Sequence, residues 1–212
     1  LTSLFRGKRT AQLFPGRHIT DSLHNEYLLT VCNSSVTQQK KAEQLRKEKG
    51  SPGVFPQEHL PPMIDTPTLY PEINRLLAEL YSGARAVLGD SFIGMYLDGS
   101  LACGAFDFAS DVDFVIVTEV DVVGETFDAL QALHERLALL DPVWGNKLEG
   151  SYISPAGLRH YDPEHAMHTN FEWGEGERLK MAAHDATWDI HRYILREHGV
   201  RMAGPPPQEL ID

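Results

Sequence analysis

Apolar residues in the middle of the chain recur at helical spacing in three stretches. The first, Leu69–Leu88, places its apolar side chains on one stripe at intervals of three and four residues, and Gly89 supplies a stop signal. Phe127–Leu140 and Asp185–His198 have the same character, and a Pro or Gly follows each of them closely. The pattern therefore predicts three amphipathic helices.

Three shorter apolar runs have the length and spacing of β-strands. Phe92–Leu97 and Val112–Thr118 are nearly continuous apolar segments, as expected for buried strands, whereas Lys147–Ile153 alternates between apolar and polar positions. The resulting order is helix, strand, loop, strand, helix, strand. This order predicts an α/β domain with a small sheet.

The two ends of the chain differ from this regular middle. Residues 1–62 show little sustained periodicity, and Pro61-Pro62 precedes the first methionine, Met63. We predict that 1–62 form a largely disordered upstream extension and that the domain spans 63–204. The proline run after Gly204 is typical of a stiff linker, so 205–212 is predicted to lead toward an absent second domain.

Charge is distributed unevenly along the sequence. The net charge is −11, yet residues 1–60 carry nine basic and five acidic residues, and the remainder carries ten and twenty-five. An acidic body disfavours nucleic acid as a partner and suits a cationic substrate or metal ions. No apolar run is long enough for a membrane span and no signal-peptide pattern opens the chain, so a cytoplasmic setting is expected.

The chemically informative stretch is Gly99-Ser100, ten residues, and then Asp111-Val112-Asp113 at the start of an apolar strand. Side chains two apart on a strand share a face, so Asp111 and Asp113 can bracket divalent cations. Such Asp-x-Asp pairs are usually solvated turn carboxylates. Charged residues that open a buried strand are costly unless they are paired or metal-bound, which favours the metal site here.

Three further residues complete this candidate site. Gly99 lets a backbone approach a phosphate closely, and Ser100 adds a hydroxyl and an N–H group. Glu149 lies on the third predicted strand and could reach the same face, as a third metal ligand or as a general base for a substrate hydroxyl. Asp98, beside the phosphate-holding turn, is expected to be solvated and without a role.

The segment from Tyr96-Leu97-Asp98-Gly99-Ser100 through Ser110–Val117 resembles the signature of the DNA-polymerase-β-like nucleotidyltransferases. Within that superfamily it is most similar to the streptomycin/spectinomycin (aminoglycoside) adenylyltransferases. Leu148-Glu149, the helix from Trp188 to Gly199, and Ala203-Gly204-Pro205 also resemble that subfamily. The resemblance covers roughly residues 63–212 and implies the nucleotidyltransferase fold, an α/β domain with a small mixed β-sheet flanked by helices.

The resemblance also implies residue roles and substrates. Asp111 and Asp113 would hold Mg²⁺, Glu149 would be the general base, and Gly99 and Ser100 would bind the nucleotide. ATP would be the co-substrate, and AMP would pass to a hydroxyl of a small, aminoglycoside-type acceptor. Two alternatives stay open: an acceptor that is a protein or tRNA, as in toxin–antitoxin enzymes, or an inactive fragment that only binds nucleotide.

Other candidate residues favour structural roles. His184, His191 and His198 recur every seven residues, about 10.5 Å apart along a helix, which is too far to share one metal ion. Trp173 and Trp188 could stack on a base, but packing in the core or at a domain interface is the expectation for both.

Overall fold

The computed structural model of the chain describes residues 64–172, 178–184 and 188–212. The predicted extension at 1–62, Trp173, and the first turn of the third predicted helix, 185–187, lie outside the described residues. The fold is therefore described for the domain that the sequence predicts to begin near Met63.

Helices and strands follow one another along the whole described chain. The helices are α1 (Pro71–Leu88), α2 (Gly99–Cys103), α3 (Gly124–Leu140), α4 (Pro155–Arg159), α5 (Trp188–His198) and α6 (Pro207–Leu210). The strands are β1 (Phe92–Leu97), β2 (Val112–Thr118), β3 (Leu148–Ile153), β4 (Met167–Glu172), β5 (Arg178–Ala183) and β6 (Val200–Ala203). Among these residues, no helix is both long and apolar enough to cross a bilayer.

The strands form one mixed sheet in the order β5-β4-β3-β2-β1-β6. Only the β2–β3 pair within this sheet is parallel, and α3 connects its two strands. The neighbouring pairs are antiparallel. The prediction of an α/β fold with a small mixed sheet flanked by helices is thus confirmed.

The three predicted helices and three predicted strands are present, with bounds shifted by a few residues. The pattern missed β4, β5 and β6. β4 reads Met-His-Thr-Asn-Phe-Glu, in which every second residue is polar because one face of this strand borders a cleft. β6 has only four residues and directly follows Gly199, where a helix end was the stronger local signal.

The alternation along β2 separates the two faces of the sheet. Val112, Phe114 and Ile116 point into the larger hydrophobic core, which includes the buried faces of α1 and α3. Val115 and Val117 point to the opposite face, where they meet a smaller cluster that includes Leu195 of α5 and the C-terminal residues. Asp113 has the same parity as Val115, so it lies on this second face.

The segment after Gly204 is packed against the domain, which differs from the predicted linker at 205–212. The hydroxyl of Tyr96, on β1, donates a 2.7 Å hydrogen bond to the carbonyl of Pro205. Leu210 and Ile211 are buried in the smaller cluster. The proline run therefore caps the second face of the sheet, and a domain beyond residue 212 stays a prediction.

A buried histidine should make the stability of the fold depend on pH. His134 of α3 is 1% exposed, lies against the Phe171 ring, and forms a 2.9 Å hydrogen bond with the Tyr152 hydroxyl through Nε2. Burial lowers the pKa of His134 from 6.5 to about 3. Below pH 6.5, His134 is therefore protonated in the unfolded chain but stays neutral in the folded chain. The free energy of unfolding consequently falls by about 1.4 kcal/mol for each unit by which the pH is lowered.

We expect the double variant His134→Phe/Tyr152→Phe to lose this dependence, because hydrocarbon then replaces both hydrogen-bonding partners. Urea unfolding at pH 4, 5, 6 and 7.5 would measure the slope of the unfolding free energy against pH. The slope of the variant should be shallower than that of the unsubstituted chain by about 1.4 kcal/mol per unit between pH 4 and 6. Equal slopes would show that His134 is protonated in the folded state.

Candidate functional site

Two carboxylates of the predicted site lie side by side on the second face of the sheet. Asp113 of β2 and Glu149 of β3 are register partners in the parallel pair. Registered residues of neighbouring strands project to the same side, and both side chains line one cleft. The prediction that Glu149 reaches the face of Asp113 agrees with this geometry.

The Gly-Ser segment predicted to hold phosphate forms the first residues of α2, and its Gly99 lies directly against Asp113. Gly99 has a positive φ of 56°, and a Cβ atom built on it would fall 2.2 Å from Asp113 Oδ2. Only glycine allows the backbone and the carboxylate to approach so closely. Ser100 is 4% exposed, and its Oγ has no hydrogen-bond partner among the described residues. The Ser100 hydroxyl is thus a buried, unpaired group near the start of α2, outside the lining of the cleft.

The contact between Gly99 and Asp113 can be tested against a matched glycine. Gly104 also has a positive φ, 71°, but a Cβ there would meet nothing within 4 Å. Gly104→Ala should cost about 1–2 kcal/mol for the left-handed backbone alone. Gly99→Ala should cost about 1–3 kcal/mol more, because its methyl group displaces the carboxylate. Chemical denaturation of both variants would measure this, and equal losses would contradict the close approach.

The cleft has a volume of about 300 Å³ and extends along the sheet from β2 to β5. Glu172, at the end of β4, lies opposite Glu149, one step beyond the registered pair Gly150 and Phe171. In the next row Ser151 Oγ donates a 2.9 Å hydrogen bond to Asn170 Oδ1. Three neighbouring strands, β2, β3 and β4, therefore each place a carboxylate at one end of the cleft. The neutral side chains of Ser151 and Asn170 lie farther along it.

Asp98 occupies the equivalent position at the end of β1. Its backbone N–H donates to the Asp113 carbonyl over 3.2 Å, which continues the β1–β2 ladder by one residue. Asp98 is 3% exposed, so the expectation that it is solvated is wrong. Its Oδ2 accepts a 2.9 Å hydrogen bond from His191 Nδ1 of α5, and both side chains line the cleft. The seven-residue spacing of the histidines, which argued against His191 as a metal ligand, could not reveal its hydrogen bond to Asp98.

No family model matches the chain, and a search of curated proteins also finds no match. A search of solved structures finds the spectinomycin adenyltransferase AAD(9) from Enterococcus faecialis, crystallised with ATP and spectinomycin, at a TM-score of 0.52 and 16% identity. The match covers 65% of this chain and 59% of that one, so the chain spans less than two thirds of that protein's length.

The chain has a nucleotidyltransferase-like fold. The family resemblance implied this architecture from the Gly-Ser and Asp-x-Asp segments, and the order and pairing of the strands agree with it. At this level of identity the likeness establishes the fold alone.

Negative charge accumulates around Asp113. Burial is the largest cause that raises the pKa of this carboxyl well above its ordinary value, and the charges of Asp98 and Glu149 raise it further. His191 lowers it by a smaller amount, and Asp111 adds a last upward contribution. An ionised Asp113 is thus unfavourable in this fold without a compensating positive charge.

Asp111 occupies a different position from Asp113. It lies one residue before β2, is half-buried, and does not line the cleft. Its parity matches that of Asp113, and its charge contributes to the raised pKa of Asp113. The nucleotidyltransferase-like fold therefore brings Gly99, Asp113 and Glu149 together and leaves Asp111 at the margin.

The carboxylate of Asp113 is an oxygen donor of the kind that Mg²⁺ uses. Among the described residues, no group of three His, Cys, Asp or Glu side chains is arranged to hold a metal ion. Mg²⁺ retains several waters and binds one or two carboxylates together with substrate phosphates. The Asp113 carboxylate lies against Gly99 and supplies the oxygen ligand that such an ion requires. A bound cation would also offset the negative charge around this carboxylate.

Trp188 also lines the cleft and is half-buried, so the packing role expected for it describes only part of its surroundings. Its ring centroid lies 4.7 Å from that of His168 and 5.5 Å from that of His191. The Arg192 guanidinium lies over the ring at 5.7 Å. Trp188 and His191 therefore form the wall of the cleft that α5 contributes, and the His168 ring of β4 adjoins it.

Proposed function

We propose that this chain carries a magnesium-dependent nucleotidyltransferase site that transfers AMP from ATP to a hydroxyl of a small, aminoglycoside-type acceptor. The observation that carries this proposal is the registered pair of Asp113 and Glu149 beside the Gly99 turn. A metal-binding carboxylate, a possible base and a phosphate-holding turn are the parts that phosphoryl transfer requires, because catalysis there is mainly positioning and charge stabilisation.

The proposed roles follow from these positions. Asp113, together with Asp111 at its margin, would hold Mg²⁺, which when bound neutralises charge on the transferred phosphate. Gly99 and Ser100 would receive phosphate oxygens through their backbone N–H groups. Glu149 would accept the proton of the acceptor hydroxyl.

The bond changes balance without a further reactant. The acceptor oxygen forms a bond to the α-phosphorus of ATP, and the bond from that phosphorus to the bridging oxygen of pyrophosphate breaks. The hydroxyl proton passes to Glu149, and pyrophosphate leaves with the electron pair of the broken bond. The α-phosphate and the acceptor therefore have to meet between Asp113 and Glu149.

A cationic acceptor is supported by the charge of the cleft. Glu149 and Glu172 lie opposite each other on neighbouring strands, and the chain has a net charge of −11. Such a surface attracts polycations and repels polyanions such as tRNA. The attraction should weaken at high ionic strength, because salt screens exposed charges beyond about 8–10 Å.

The proposal is tested by incubating the chain with Mg²⁺ and ATP labelled on the α-phosphate, together with panels of aminoglycosides, proteins and tRNA. Mass spectrometry should find an aminoglycoside that gains AMP, with release of pyrophosphate. Labelled protein or tRNA would instead identify the alternative acceptor class. ATP binding without transfer to any acceptor would support a chain that only binds nucleotide, and the absence of both would refute the proposal.

A further inference from the structure

Positive charge is scarce in the cleft where the proposed function places a nucleotide. Among the described residues that line it there is no lysine or arginine. The groups in this lining that could carry positive charge are His168 and His191. A triphosphate needs hydrogen-bond donors, and charged donors bind it more strongly than neutral ones. Within this lining, the two histidines are therefore the side chains that could offer a charged donor to phosphate.

His168 does not meet this requirement. It is 3% exposed, and its ring lies 4.6 Å from that of His184. Burial is the main cause that lowers the pKa of His168 to about 3, and the neighbouring His184 lowers it further. His168 is thus neutral in the physiological range and belongs to the wall of the cleft.

His191 is held in one orientation. Its Nδ1 lies 2.9 Å from Asp98 Oδ2, so Nδ1 carries a proton that it donates to this carboxylate. The Asp98 side chain is only 4% exposed, whereas 41% of the His191 side chain remains exposed at the cleft. The described residues provide no hydrogen-bond partner for the second ring nitrogen, Nε2. The ring therefore presents Nε2 toward the cleft.

Asp98 is suited to act as the anchor of this ring. Its backbone hydrogen bond to Asp113 places it at the end of β1, immediately before α2, which begins at Gly99. A buried carboxylate requires a charged or hydrogen-bonding partner, and His191 supplies it. The pair joins α5 to the strand end beside the proposed phosphate site.

We propose that His191, oriented by Asp98, donates a hydrogen bond from Nε2 to a phosphate oxygen of the bound nucleotide. This inference rests on the proposed function, because it assigns a contact within the same site. It names a group that neither the Gly-Ser turn nor the Asp-x-Asp pair contains, and that lies on a different helix.

The electrostatics of the cleft are consistent with this role. Burial lowers the pKa of His191, but the hydrogen bond and charge of Asp98 outweigh burial, so the pKa is raised from its ordinary value. Asp113 and Glu149 raise it further. A protonated ring has an N–H group at both nitrogens, one for Asp98 and one for the ligand.

The inference is tested by calorimetric titration of ATP and of adenosine, in Mg²⁺, into the unsubstituted chain and into His191→Gln. We expect the substitution to weaken ATP binding about tenfold or more, because a charge-assisted hydrogen bond is lost. Adenosine lacks phosphate, so its affinity should be unchanged. His191→Arg retains a positive charge and should recover part of the ATP affinity. His198→Gln, at the far end of the same helix and away from the cleft, serves as the matched control.

A second measurement reports on the anchor without any nucleotide. In ¹⁵N-detected NMR spectra, His191 should carry its proton on Nδ1 above its pKa, and Asp98→Asn should lower that pKa. Equal loss of ATP and adenosine affinity in His191→Gln would reduce the residue to packing and overturn the inference, as would no loss of ATP affinity. An unsubstituted chain that binds no ATP would refute the proposed function itself, which separates the two failures.

Discussion

Asp113→Asn should reduce nucleotidyl transfer by at least about a hundredfold to a thousandfold, the loss typical when a group that stabilises developing charge is removed. Asparagine keeps the shape of the side chain but removes the negative charge that would attract Mg²⁺. The measurement is the initial rate of pyrophosphate release with saturating ATP and acceptor. Magnesium-dependent ATP binding, followed by calorimetry, should fall in parallel.

The same substitution should stabilise the metal-free chain. The pKa of Asp113 is raised in the folded state, chiefly by burial and then by Asp98 and Glu149, so folding favours the protonated side chain. Above the unfolded value near 3.8, the carboxyl ionises in the unfolded chain first, and the folded state loses stability as pH rises toward the raised pKa. Asparagine resembles the protonated form and removes this loss at neutral pH.

Glu119→Gln provides the matched control for Asp113→Asn. Glu119 is an exposed carboxylate directly after β2, at the end of the strand away from the cleft. Its neutralisation changes the net charge of the chain by the same amount and should alter neither transfer nor stability measurably. Loss of activity in both variants, or full activity in Asp113→Asn, would contradict a metal-binding role for Asp113.

Glu149→Gln should lower the turnover number by about a hundredfold to ten-thousandfold, with a much smaller effect on ATP affinity. Glutamine fills the same space beside Asp113 but cannot accept the acceptor proton. Rates and ATP affinities, measured separately by steady-state kinetics and calorimetry, would distinguish the two effects. A fall in Mg²⁺ affinity with little change in the rate at saturating metal would instead make Glu149 a metal ligand.

Glu172→Gln is the control that separates base catalysis from general electrostatic attraction. Glu172 lines the same cleft opposite Glu149, so it contributes a carboxylate without lying beside Asp113, although its pairing with Lys180 offsets part of its charge. Its substitution should raise the acceptor KM and leave the turnover number nearly unchanged. If both glutamates affected the turnover number equally, Glu149 would have no distinct role as a base.

The local spacing of residues was sufficient to predict much of this protein. The apolar stripe of α1 and the continuous apolar run of β2 are signals confined to one element, and both elements are present. The Gly-Ser turn and the charged opening of β2 are adjacent in space because β1 and β2 pair directly. Short-range periodicity therefore predicted the central elements, and the spacing of the Gly-Ser and Asp-x-Asp segments indicated the candidate site around Asp113.

Tertiary structure alone decided the remainder of the cleft. Asp98 and His191 are 93 positions apart and meet only because α5 packs against α2, which begins directly after Asp98. Glu172 faces Glu149 because β4 pairs with β3 in one register, and a shift of one residue would have turned it to the other side. The periodicity of α5 related His191 only to other histidines on the same helix, whereas its hydrogen-bond partner, Asp98, lies at the end of β1. Contacts between distant segments depend on how elements pack, and the pattern within a single segment does not contain that information.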